Sequence, residues 1–309
     1  MDSEAPLLTT TGLRALGEAH PERRARDGGD LERLRRGVYA DAGNWRTATL
    51  DEQYRLRIRA VGERVQGPLV FSHESALRML GLPALRPWPS MVHVIAPSSP
   101  GGRTKGDVVR HCIGVNPVDV VPVGALACTS PARTALDMAL SRTFADAVVV
   151  ADAVFARFPG ARDDFAELLA ELAPGTRGIR RAARVLAFAD PLSGSPGESW
   201  SRVLISELGF SRPQLQAPVH VGRKRVAVVD FEWAEAGLVG EFDGEVKYRR
   251  LDYRRGRTPE QVVIDEKNRE NEIRRVRRGV IRWTWDDLRD RRRLEDLLAS
   301  AGVPRRTRG

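Results

Sequence analysis

Residues 215–221 alternate apolar and polar positions, and 226–233 and 238–244 are short apolar-rich runs bounded by turn residues. That period and that length predict strands, and Ala234-Glu235-Ala236-Gly237 between the last two runs is a turn, so residues 226–244 read as a β-hairpin. Upstream, residues 198–209 follow a helical period with Gly209 as the stop. Downstream, 261–278 read as a charged helix, 280–285 as a strand and 286–299 as a final helix. The predicted order is α-β-β-β-α-β-α. Only one strand-to-strand connection carries a long helix, which implies a mixed sheet flanked by helices.

The remainder is patterned differently. Residues 53–65, 72–80, 144–158 and 165–172 have helical periods, Ser130-Pro131 starts a further helix, and 91–95 is a strand followed by a loop over 97–102. Residues 1–60 are polar and weakly patterned. Within them, Arg35-Arg36-Gly37-Val38-Tyr39 resembles a strand leaving a basic turn, as in the wing of a winged helix, while residues 22–30 show no convincing recognition helix. The Pro/Gly/Ser run Asp190-Pro191-Leu192-Ser193-Gly194-Ser195-Pro196-Gly197 reads as a linker. The expected class is therefore α+β in three parts: a winged-helix-like region over 1–60, a mixed α/β middle over 61–190, and a domain over 191–309 with a mixed sheet flanked by helices.

Composition narrows the classes of function. The chain has 309 residues and a net charge of +9, and no apolar run is long enough to span a bilayer. The acidic start Met1-Asp2-Ser3-Glu4 lacks the basic and apolar regions of a signal peptide, which predicts a cytoplasmic protein without a membrane partner. Cys112 and Cys128 match no metal spacing, and the five histidines are scattered, which argues against a zinc site. The charge is unevenly spread: residues 245–309 hold 20 basic and 12 acidic side chains, nearly the whole excess. Concentrated basic charge is the footprint of a polyanion, most often a nucleic acid. Only four of the fifty basic residues are lysine, and two of them, Lys247 and Lys267, follow the hairpin.

The hairpin carries the candidate chemistry. Asp230 ends a valine-rich run, and Glu241 and Asp243 lie two apart on the next strand, hence on one face. An unpaired carboxylate buried in such strands costs several kcal/mol, roughly, unless a cation neutralises it. A hard divalent ion, Mg²⁺ or Mn²⁺, is one solution. Trp283 and Trp285 share a strand face, which suits core packing, with base stacking as the alternative. His73 and Arg133, at helix starts, read as structural.

Glu198 on a leading helix, Asp230 on one strand and Glu241-Phe242-Asp243-Gly244 on the next resemble the PD-(D/E)XK nuclease superfamily over about residues 196–300, closest to its very-short-patch-repair-like branch. Residues 1–190 are similar to AbiEi-type antitoxins of type IV toxin–antitoxin systems, through the Arg-Arg-Gly-Val-Tyr turn, Ser72-His73-Glu74-Ser75-Ala76 and residues 129–137. The resemblance implies a restriction-endonuclease-like domain in which Asp230 and Glu241, with Asp243 as a further candidate, hold Mg²⁺ or Mn²⁺, and Glu198 assists. The superfamily lysine two residues after the glutamate is replaced here by Asp243. Either Asp243 is a ligand, or Lys247 or Lys267 has taken over the lysine role, or the site is inactive. Lys247, Arg274, Arg275, Arg277 and Arg278 would contact DNA phosphates, or the four arginines would only complement the C-terminus of their helix. The resemblance thus implies a DNA-acting protein, either a metal-dependent endonuclease or a non-catalytic antitoxin and autorepressor with a cognate toxin as partner.

Overall fold

In the computed structural model, residues 5–18, 20–26, 29–63, 69–96, 104–111, 113–244 and 279–306 are described. The protein is α+β, with mixed sheets flanked by helices. The chain forms two compact units, one of residues 1–142 and 158–186 and the other of residues 143–157 and 187–309.

The first unit holds two sheets. Strand Leu8–Thr9 pairs with Val38–Asp41, which pairs in turn with Leu31–Arg35, all antiparallel. The short helices Thr10–Ala15 and Pro21–Arg26 lie between the first strand and the hairpin. Pro21–Arg26 was not legible in the sequence, because Pro-Glu-Arg-Arg-Ala-Arg presents no apolar stripe. Gly37, at φ 79°, makes the tight turn of the hairpin without a Cβ penalty. The helix Leu50–Gly62 follows, opened by a capping box in which Thr49 and Glu52 satisfy each other's backbone donors. It begins three residues earlier than its apolar period suggests, since the cap rather than the stripe sets the start.

A six-stranded mixed sheet builds the rest of this unit, in the order Thr104–Lys105, Val108–His111, Val92–Ile95, Val70–Phe71, Leu126–Thr129, Val120–Val123. Tyr54, Ile58, Phe71, Val92, Val94, Val108 and Cys128 fill its core. Ser130 caps the helix Pro131–Ser141, accepting from the Arg133 amide, with Pro131 in the first turn as expected. Inside that helix Asp137 is buried; one carboxylate oxygen takes the Arg133 guanidinium at 2.9 Å, while Oδ2 has no hydrogen-bond partner among the described residues. Burial outweighs the arginine and pushes its carboxyl up to about 6.

The second unit has a four-stranded sheet in chain order: Gln214–Val221, Lys224–Trp233 and Leu238–Asp243 are antiparallel neighbours, and Gly279–Thr284 joins parallel to Leu238–Asp243. The turn is a 3₁₀ segment, Ala234–Ala236, closed by Gly237 at φ 65°. The leading helix, Pro196–Glu207, starts two residues before its apolar period because Ser195 is the cap, accepting from the Glu198 amide. It covers the sheet face formed by Phe231, Trp233, Leu238, Phe242, Ile281 and Trp283. Trp283 is fully buried and donates to Ser201 Oγ at 2.7 Å, so it is a core residue, as its position suggested. Trp285 lies beyond the strand, at the start of Trp285–Arg289, and packs on Trp200 and Phe242. The expected final helix is two helices, because Asp290 breaks the run and caps Arg291–Ser300.

Helix Phe144–Arg157, read from sequence as part of the middle region, packs in this unit against the leading helix. Its Asp152 forms a fully buried ion pair with Arg202 at 2.7 Å. Arg202 also donates to Ser193 Oγ and the Phe188 carbonyl, and Asp152 accepts the Asp190 amide.

Two outcomes test this packing. A Cβ at Gly197 would fall inside the Phe242 ring. Gly197→Ala, although worth about 1 kcal/mol in helix propensity, therefore destabilises by roughly 1–3 kcal/mol in urea denaturation. The second concerns Asp137. Its folded carboxyl keeps a proton up to about 6, whereas the unfolded one releases it near 3.8. Between those values the folded chain binds more protons, so stability falls as pH rises from 3.8 to 6. Asp137→Asn removes that slope, on the order of 2 kcal/mol across the window, read from denaturation midpoints of both proteins across that range.

Candidate functional site

Asp230 and Glu241 lie on the two central strands of the second unit. Backbone pairing between these strands runs Trp233↔Leu238, Glu232↔Val239, Phe231↔Gly240. The next step along that register sets Asp230 opposite Glu241. There the Asp230 carboxylate accepts the Phe242 amide at 2.9 Å. Alternation places Phe231 and Phe242 in the helix-side core and Asp230, Glu241 and Asp243 on the opposite face. Glu241 is buried and Asp243 half-buried. Arg282, the register partner of Glu241 on the parallel strand, donates to its carboxylate at 3.1 Å.

Glu198 is held differently. Gly194 N donates to Oε2 at 2.8 Å, Ser195 Oγ donates to Oε1 at 2.9 Å, and Gln216 Nε2 donates to Oε2 at 2.9 Å. Glu198 therefore fastens the Pro/Gly/Ser segment to the helix start and to the first strand. Gln216 reaches it from a left-handed backbone, φ 46°, inside that strand. A non-glycine residue there costs on the order of 1–3 kcal/mol and persists only when its surroundings impose it. Observed strain of this kind directs attention to the polar end of the sheet.

The carboxylate oxygens are of the kind a hard divalent cation takes, but Arg282 already holds Glu241, and Asp230, Glu241 and Asp243 do not form a convergent set of three. The residues that would hold such an ion are Asp230 and Glu241, with Asp243 next along the strand. Lys247, Lys267, Arg274, Arg275, Arg277 and Arg278 lie outside the described residues.

A second constellation was not expected. The sequence reading of scattered histidines is corrected by the first unit, where His73, His93 and His111 each offer a ring nitrogen within 4.8 Å of the others, the only such set of three or more metal-binding side chains among the described residues. Strand pairing makes the cluster. Val92–Ile95 runs parallel to Val108–His111, so His93 and His111 come within 3.0 Å, Nδ1 to Nε2. His73 opens the helix His73–Met79 from a left-handed backbone, φ 51°, and its ring stacks on His111 with centroids 3.7 Å apart. Burial holds all three imidazoles below their ordinary protonation range, His111 at about 4. Glu74 lies 3.7 Å from His93 Nε2 and is itself gripped by Arg142 through both oxygens. The only sequence signal was His73 beside Ser72; the pairing of residues 92–95 with 108–111 has no local signature.

No family model matches the chain. Among curated proteins it is similar to the uncharacterized proteins MT2308 and Rv2248 from two strains of Mycobacterium tuberculosis, each 30% identical over 152 residues, 49% of this chain and 55% of the relative. The chain thus spans about half the length of the curated relatives it matches. Among solved structures it is similar to the crystal structure of the RV2827C protein from Mycobacterium tuberculosis, with a TM-score of 0.41, 18% identity, and coverage of 72% of this chain and 83% of that one.

Proposed function

We propose that the second unit is a nuclease-type domain acting on DNA phosphodiesters, with Asp230 and Glu241 as the residues that hold Mg²⁺ or Mn²⁺. The observation that supports this reading is their position on adjacent central strands, on one sheet face just past the last backbone pair Phe231↔Gly240, in a helix–strand–strand–strand…strand order that the PD-(D/E)XK resemblance implies. A divalent cation bound there supplies water activation and charge neutralisation at the scissile phosphate. Glu198 is a positioning residue in this reading, since its oxygens receive donors from Gly194, Ser195 and Gln216. The lysine role falls to Lys267 or Lys247, and Arg274, Arg275, Arg277 and Arg278 track the DNA backbone together with Lys247.

A specific observation favours a second reading. Arg282 already pairs with Glu241, and the usual lysine position is Asp243. A sheet compensated in this way serves a non-catalytic DNA-binding antitoxin or autorepressor with a cognate toxin. The strand–helix–helix–hairpin order of residues 8–41 supports a winged-helix contact with DNA in either reading.

Incubating the purified chain with supercoiled plasmid and short single- and double-stranded DNA separates the two. The expected outcome is metal-dependent nicking, lost by at least about 100-fold in Glu241→Ala. If neither protein cuts any substrate in Mg²⁺ or Mn²⁺ while both bind DNA alike, the repressor reading replaces it. DNA binding in either case weakens steeply between 50 and 200 mM salt, roughly in proportion to the phosphates contacted.

A further inference from the structure

The geometry points to a transition-metal site in the first unit: we infer that His73, His93 and His111 bind one Zn²⁺-class ion through three imidazole nitrogens. The carboxylate face concerns oxygen ligands and the second unit; this site is separate in place and in chemistry.

Three observations carry it. The nitrogens converge: all three lie within 4.8 Å of one another, and the His93–His111 pair is at 3.0 Å. Ligands sharing one tetrahedral zinc stand roughly 3.3 Å apart, given metal–nitrogen bonds near 2.0–2.1 Å. The His93–His111 separation of 3.0 Å lies close to that value, and the third nitrogen is within 4.8 Å of both. An ion would replace the single proton that now links His93 to His111, and the stacked His73 ring would turn by rotation of its side chain.

The ligands are also held in place by their neighbours. His93 donates its amide to Ser75 Oγ at 2.9 Å and accepts the Ser72 amide at 3.0 Å, while Tyr54 hydroxyl contacts Ser75 Oγ at 2.8 Å. The helix that carries His73 is therefore locked to the strand that carries His93. Ser72 Oγ contacts His73 Nδ1 at 3.0 Å, which leaves Nε2 as the nitrogen free to reach an ion when the ring turns. Glu74, fixed by Arg142, stands 3.7 Å behind His93 Nε2, close enough to close into the carboxylate–histidine–metal arrangement that orients imidazole ligands.

The third observation is what the cluster displaces. His73 and His93 are 3% and 6% exposed, and His73 occupies a left-handed conformation that asparagine or glycine would adopt more readily. An apolar side chain would fill the space without a polar penalty. Neutral nitrogen donors without a carboxylate in contact with the ion select zinc or a neighbouring first-row metal over Mg²⁺ or Ca²⁺. Three protein ligands leave a fourth position, reached past the half-buried His111, for water or a small anion.

The test uses the full chain, stripped with chelator and titrated with Co²⁺, with zinc content measured in parallel. Wild type is expected to take up one Co²⁺ per chain with the visible ligand-field bands of tetrahedral nitrogen coordination, displaced by Zn²⁺. His111→Gln and His73→Asn, the latter suited to the left-handed backbone, abolish those bands while circular dichroism shows the fold retained. Glu74→Gln weakens binding roughly 10- to 100-fold. Glu241→Ala leaves it unchanged and so separates this site from the carboxylate face. Folded wild-type protein without stoichiometric tetrahedral Co²⁺, or folded histidine variants that bind as tightly as wild type, would overturn the assignment.

Discussion

The Asp152–Arg202 ion pair sets the architecture of the second unit. Both side chains are almost wholly excluded from solvent, so neither charge is tolerable without the other. Burial pushes the Asp152 carboxyl upward, with Arg202 and the Asp190 amide opposing it. Because Arg202 also holds Ser193 and the Phe188 carbonyl, one guanidinium fixes three pieces of chain: the helix Phe144–Arg157, the stretch from Phe188 to Ser193 entering the linker, and the leading helix. That fixed helix start places Glu198 against Gln216 and Gly197 against Phe242. The position of the sheet beneath the helix, and hence of Asp230 and Glu241, follows from a charge pair some way from either.

The two polar sites handle buried chemistry by opposite means. On the second unit's sheet, charges are retained and matched, Glu241 by Arg282 across a parallel pair of strands. In the first unit, the histidines are kept neutral by burial and by one another. Both include a non-glycine residue in left-handed backbone, Gln216 in one and His73 in the other. These are the two non-glycine residues of positive φ among those described, and each makes a hydrogen bond within its own cluster. Locally unfavourable backbone has been accepted where it aims a polar group.

What was legible in the sequence was local. The hairpin turn, the Ser130-Pro131 helix start and the burial of Trp283 follow from side-chain chemistry within a few residues, and the structure agrees with each. The helix Ile179–Phe188 is missing from the sequence reading although Ala182 and Val185 recur at helical spacing on its buried side and arginines occupy the other. Helix Phe144–Arg157 was assigned by adjacency to the middle region; its true neighbours are selected by a charge 50 residues later. The histidine cluster was invisible for the same reason. Which strands pair in parallel is a property of the assembled sheet, and His93 and His111 meet only through it.

One backbone group in the second unit has an unusual partner. The Phe242 amide donates to the Asp230 side chain. Its resonance therefore responds to the electronic state of a carboxylate. Protonation of Asp230, or capture of its oxygens by a cation, shifts one amide signal directly, whereas the neighbouring strand amides respond only to the sheet. The molecule carries its own spectroscopic reporter at the carboxylate face, and it responds whether or not a phosphodiester is ever cut.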